Sequence, residues 1–95
     1  MPKQPVKLHA GKANPEHQKL SKNNHDEAEW SSDDDPYTVE FGSDNPFVNG
    51  PTFHVHPGTP TSSGPIKGDA LGIKEYSVAK FGAAGGSDPD VEITP

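Results

Sequence analysis

Cysteine and arginine are both absent from this 95-residue chain. Without cysteine the chain can form no disulfide, offers no thiolate to a metal and has no thiol nucleophile. Arginine is the usual reader of phosphates and base edges, and the formal net charge is −6. Nucleic acid is therefore not expected as a partner.

Large apolar side chains are scarce as well. Leu, Ile, Val and Phe total 16 residues, so the core must be thin, and we expect residues 1–95 to form one small domain with a loose N-terminus over residues 1–5. No apolar run approaches membrane-spanning length, and residues 1–10 lack the apolar stretch of a signal peptide. The sequence does not indicate a cellular compartment.

Proline and glycine are, by contrast, abundant. Eleven prolines and ten glycines leave no window for a helix of ordinary length after residue 30. Apolar residues alternate with polar ones in six places, which contain Val6 and Leu8, Ala28 and Trp30, Tyr37 with Val39 and Phe41, Phe53 and Val55, Tyr76 and Val78, and Val91 and Ile93. This period of two predicts six or seven short strands in an antiparallel sandwich or barrel.

The connections between these strands are rich in turn residues. Two of them, residues 57–72 and 82–89, are long and contain little apolar content. We expect both to lie on the surface and to be mobile. The predicted core comprises Trp30, Val39, Phe41, Tyr76, Val78 and Val91.

The order of these segments resembles that of cupredoxins, the small Greek-key sandwiches of the plastocyanin and azurin type. In that family a strand ending in Trp is followed by a short polar loop, then Pro, His and an alternating Val/Phe strand. Trp30, residues 31–35, Pro36 and residues 38–41 match this layout, and Tyr37 stands in the place of the histidine ligand.

A second part of the chain resembles the end of the family's pattern. Residues 76–78 are similar to the strand that leads to the ligand loop, and residues 91–94 are similar to the final strand. Residues 81–90, between them, contain no Cys, His or Met. The resemblance therefore implies a cupredoxin-like sandwich without copper and without electron transfer, because a blue-copper centre needs two imidazoles and a thiolate.

His54 and His56 are the sharpest chemical feature. Two residues apart on a strand, their imidazoles point to one face and could share a Cu(II), Ni(II) or Zn(II) ion. A third ligand would have to come from the N-terminal region, which contains His9, His17 and His25. The other interpretation is that both are solvated residues opposite a dry strand face.

Other polar groups do not form a catalytic pattern. Residues 33–35 begin like a calcium loop, but the glycine and the distal glutamate of that loop are missing. Ser62 and Ser63 lack the elbow of a serine hydrolase, and Asp88, Asp90 and Glu92 are interpreted as turn and edge residues. The chain is not expected to be an enzyme or to carry a cofactor.

Two functional hypotheses remain open. The first is a non-enzymatic structural or protein-interaction module, whose loops or edge strands contact a partner protein or an identical copy. The alternative is weak divalent-metal binding at His54 and His56.

Overall fold

The computed structural model describes residues 3–80 and 89–95, which form an all-β, sandwich-like fold. Ten strands lie within these residues: β1 Lys3–His9, β2 Lys12–Asn14, β3 His17–Ser21, β4 Glu27–Ser32, β5 Tyr37–Glu40, β6 Thr52–Val55, β7 Thr61–Ser62, β8 Gly72–Glu75, β9 Ser77–Lys80 and β10 Asp90–Thr94. A single 3-10 turn, Gly42–Asp44, follows β5. In the described part of the chain, no helix is long and apolar enough to cross a membrane.

The strands form three sheets. The first has the order β2-β1-β4-β7, the second β3-β10-β8 and the third β6-β5-β9. Two pairings are parallel, β1 with β4 and β3 with β10. The expected antiparallel pairing is found throughout the third sheet and in the pairs β1–β2, β4–β7 and β8–β10, but not in these two pairs. Both parallel pairs join strands that are not consecutive in the chain, so the pairing cannot be read from local turns.

All six predicted strand segments are confirmed, in β1, β4, β5, β6, β9 and β10. The sequence did not reveal β2, β3, β7 and β8, so the expected strand number was too low. These four strands bury few large side chains; β7 is the two residues Thr61–Ser62, and β2 buries only Ala13. Backbone pairing rather than an apolar pattern defines them.

Two segments are more ordered than the sequence predicted. β1 begins at Lys3 and pairs with β4 from Glu27 onward, within the N-terminal segment expected to be loose. The connection 57–72 contains β7 and the fully buried Ser63, and its Ile66 forms an isolated bridge with Phe47. Of the second long connection, residues 82–88 lie outside the described residues.

The predicted core is confirmed, since all six of its side chains are buried. Trp30 lies at its centre, with the rings of Phe41, Phe47, Phe53 and Tyr76 at centroid distances of 5.0 to 6.0 Å. Its indole Nε1–H donates a hydrogen bond to the Tyr76 hydroxyl at 3.3 Å. Ring packing of this kind stabilises a core with few aliphatic residues.

Candidate functional site

The two predicted metal ligands lie at the edge of the third sheet. His54 is on β6 opposite Thr38, and its Nδ1 lies 3.4 Å from the Thr38 hydroxyl. His56 follows β6 and forms an isolated bridge with Thr59. Both residues are exposed. Among the residues that the structure describes, no cluster of three metal-binding side chains includes either histidine.

The histidines considered as a third ligand belong to other groups. The His9 Nδ1 lies 2.9 Å from a carboxylate oxygen of Asp33. His17 is bonded through its two ring nitrogens to Asp90 and Glu92 on the neighbouring strand β10. His25 lines a separate cleft of about 360 Å³. Among the described residues, no third ligand joins His54 and His56. The metal site predicted there stays a prediction.

The two carboxylates of β10, Asp90 and Glu92, both bond to His17. The hydrogen bond to Asp90, above all, raises the pKa of His17, and the bond to Glu92 acts in the same direction. This arrangement ties β3 to β10 across the outer face of the second sheet. Asp88 lies outside the described residues.

Tyr37 is buried and directs its hydroxyl at Asp34. The hydroxyl donates to the carboxylate at 3.0 Å and accepts a hydrogen bond from the Gly11 N–H at 3.0 Å. Burial is the main reason that the pKa of Tyr37 is raised. A phenol bound in this way takes part in a hydrogen-bond network at the end of β1.

Asp34 is the centre of that network. Its carboxylate accepts hydrogen bonds from the backbone N–H groups of Ala10, at 2.9 Å, and of Asp35, at 2.7 Å, and from the Ser32 hydroxyl at 3.2 Å. These bonds, that of Ala10 first, hold the pKa of Asp34 far below its usual range. The acidic run 33–35 therefore folds as a turn in which Asp34 fixes the backbone.

One cluster of three potential metal ligands occurs among the described residues: His9, Asp33 and Asp34, whose donor atoms lie within 4.8 Å of one another. This cluster is not evident from the sequence because His9 and Asp33 are 24 positions apart. The parallel register pairs Leu8 with Ser32 and so brings the residues that follow them, His9 and Asp33, close together. Knowledge of that pairing would have been the necessary signal.

Ser63 has a structural role. Its side chain is buried; the hydroxyl accepts a hydrogen bond from the Ala28 N–H at 2.9 Å and donates one to the Gly64 carbonyl at 3.0 Å. The neighbouring Ser62 hydroxyl donates to a carboxylate oxygen of Glu27 at 2.6 Å. Both hydroxyls connect the 57–72 segment to β4.

Strand β8 forms one edge of the second sheet. Ile73 lies on it opposite Glu92 of β10, and 60% of its surface is exposed. Leu71, which immediately precedes the strand, is 56% exposed. Lys74, the residue after Ile73, faces inward beside Val91 of β10. Its side chain is 17% exposed, and its ammonium lies 3.2 Å from a carboxylate oxygen of Asp44.

Comparison with models of known protein families and with curated proteins gave no match.

Proposed function

We propose that this chain is a non-enzymatic protein-interaction module on a copper-free, cupredoxin-like Greek-key sandwich, and that it associates with a second copy of itself through β8. The cupredoxin-like part is supported by the order of its segments. A strand containing Trp30 leads through a polar loop to the Tyr37 strand, and Val91 lies in the last strand. Tyr37 supplies a phenol where the family has an imidazole ligand.

The observation that carries the proposal is the exposure of Ile73 on an edge strand. An edge strand presents unpaired backbone groups that can bind another strand, and an apolar side chain beside them adds affinity. Leu71 extends the apolar surface next to the strand. Burying such side chains in an interface contributes about 25 cal/mol per Å² of apolar surface.

The sequence of β8 is compatible with pairing to itself. In an antiparallel pair with its two-fold axis at Ile73, the two isoleucines lie opposite each other. Gly72 then lies opposite Lys74 of the second copy, and Leu71 opposite Glu75. This register places no like charges directly across from one another, an arrangement that would oppose pairing. A second copy is therefore a suitable occupant of this edge.

Lys74 limits how this edge can pair. An inward-facing charge on an edge strand is a common protection against uncontrolled sheet extension. Because Lys74 is held by Asp44, a partner must leave that ion pair in place or replace it. The expected result is a weak, closed dimer rather than a growing aggregate.

Sedimentation equilibrium over a range of protein concentrations tests the proposal. We expect a monomer–dimer equilibrium for the wild type and a dissociation constant at least about tenfold higher for Ile73→Thr, equivalent to about 1.4 kcal/mol. Val48→Thr is the matched control because Val48 is similarly exposed, at 59%, but lies outside β8; it should leave the equilibrium unchanged. Circular dichroism verifies that each variant is folded.

Two results would contradict the proposal. A wild type that remains monomeric at every concentration has no self-association to explain. Equal effects of Ile73→Thr and Val48→Thr would mean that association depends on general surface hydrophobicity and not on the β8 edge.

A further inference from the structure

A separate group of side chains lies where the end of β1 meets the loop after β4. His9 is the last residue of β1, and Asp33 and Asp34 follow β4 directly. The His9 Nδ1 is 2.9 Å from Asp33 Oδ1 and 3.5 Å from Asp34 Oδ2. One imidazole nitrogen thus faces two carboxylate oxygens.

We propose that His9, Asp33 and Asp34 form a binding site for one divalent transition-metal ion, with Zn²⁺, Ni²⁺ and Cu²⁺ as the matching ions. An imidazole with two carboxylates is a donor set for these metals, whereas Mg²⁺ and Ca²⁺ prefer oxygen ligands alone. The site is distinct from the His54 and His56 pair and does not depend on the β8 interface.

Hydrogen bonds hold the Asp34 carboxylate in position before any metal binds. The carboxylate is held by the backbone N–H groups of Ala10 and Asp35 and by the hydroxyls of Ser32 and Tyr37. Outer hydrogen bonds of this kind fix a ligand's position and reduce the ordering that binding requires. The oxygen that faces His9, Oδ2, accepts the Ala10 N–H and shares the single Tyr37 hydroxyl proton with Oδ1, which leaves one of its two lone-pair sites for a metal.

The cluster already attracts positive charge. The Lys7 ammonium lies 3.0 Å from Asp33 Oδ2, on the oxygen that does not contact His9. A bound dication would take over this neutralisation, and the exposed Lys7 side chain could swing into solvent. Lys7 therefore competes with the metal and should keep the affinity of the wild type moderate.

There is also space for the rest of the coordination shell. A cleft of about 380 Å³ adjoins the cluster and is lined by Lys7, His9, Lys12, Ala13, Asn14 and Asp33. Water molecules in this cleft can complete a tetrahedral or octahedral shell around a metal with three protein ligands.

Isothermal titration with ZnCl₂ and NiCl₂, in a buffer that does not bind metals, tests the site. We expect one ion per wild-type chain, at least a tenfold loss of affinity in both His9→Gln and Asp33→Asn, and tighter binding in Lys7→Met. The matched control is the double variant His54→Gln, His56→Gln, which should bind like the wild type. Circular dichroism verifies folding; the side chains replaced are exposed, so the fold should persist.

Nuclear magnetic resonance gives a second readout that does not depend on affinity. Paramagnetic Ni²⁺ should broaden the imidazole signals of His9 at the lowest metal-to-protein ratio, with His9→Gln providing the assignment. Absence of binding to the wild type would overturn the proposal. Loss of binding in the His54, His56 double variant but not in His9→Gln would overturn it too, and would support the metal site predicted from the sequence.

Discussion

The hydrogen bond between Trp30 and Tyr76 provides a sharp test of how the core is stabilised. Tyr76→Phe removes one oxygen atom and retains the ring, which packs against Phe41 with a centroid distance of 4.9 Å. The indole N–H of Trp30, whose side chain is fully buried, then loses its 3.3 Å acceptor. A buried donor left without a partner costs about 1 to 3 kcal/mol, and the length of this bond favours the lower half of that range.

We therefore expect Tyr76→Phe to lower the free energy of unfolding by about 1 to 2 kcal/mol, which corresponds to a fall in Tm of about 5 to 15 °C for a domain of this size. Urea unfolding followed by circular dichroism measures the change. A double-mutant cycle with Trp30→Phe measures the coupling between the two side chains, which comprises this bond and the contact of their rings at a centroid distance of 5.8 Å. If Tyr76→Phe changed the free energy of unfolding by less than about 0.5 kcal/mol, or if the effects of the two single substitutions were fully additive, the bond would not stabilise the core.

The Tyr76 phenol also makes the stability of the fold depend on pH in the alkaline range. Burial, as the main cause, raises the pKa of Tyr76 from 10.0 to about 12. A proton held more tightly in the folded state contributes stability that is present below pH 10.0 and is lost as the pH rises toward 12. Tyr76→Phe should therefore lose less stability than the wild type across this interval. Parallel curves for the two proteins would contradict the assignment.

Two further predictions concern the second sheet. His17→Gln removes a histidine whose pKa is raised mainly by its hydrogen bond to Asp90. The destabilisation should therefore be greatest below pH 6.5, where the folded and unfolded states both bind the histidine proton, and should shrink as the pH rises above the folded-state pKa. Thermal unfolding at several pH values measures this, with His25→Asn as the control, and a pH-independent difference would contradict it. Lys74→Thr removes the inward charge held by Asp44, so sedimentation should detect stronger association or larger assemblies than in the wild type, whereas weaker association would refute the protective role of Lys74.

Side-chain alternation was sufficient to predict the central strands and the core. Trp30, Val39 and Val78 each belong to a segment in which apolar and polar residues alternate, and such alternation predicts a strand with one buried face. Tyr37 and Phe41 continue it. These positions were predictable because burial of large side chains, a local property of the sequence, determines them.

The parallel pairings were not predictable in this way. β1 and β4 are joined in register over Lys3 to Leu8 and Glu27 to Ser32, but nothing in either segment encodes the partner. The contact between His9 and Asp33 depends on that register. The sequence therefore pointed to His54 and His56, which are two residues apart in the chain, and not to the cluster that the register assembles.

The edge strand β8 was only partly predictable from the sequence. Leu71 and Ile73 stand two residues apart, which is a strand-like spacing, but Gly72, with a φ of +93°, interrupts the run. The buried partners of the strand are on β10, so its exposed isoleucine lies opposite Glu92 rather than inside the core. Only the pairing distinguishes a core residue from a surface one here.

The most direct test of self-association through β8 is hydrogen–deuterium exchange measured at low and at high protein concentration. We expect slower amide exchange in Gly72–Glu75 at high concentration, with no change in His17–Ser21 at the opposite edge of the same sheet. Exchange in Gly72–Glu75 that is independent of concentration while the protein sediments as a dimer would place the interface elsewhere and contradict association through β8.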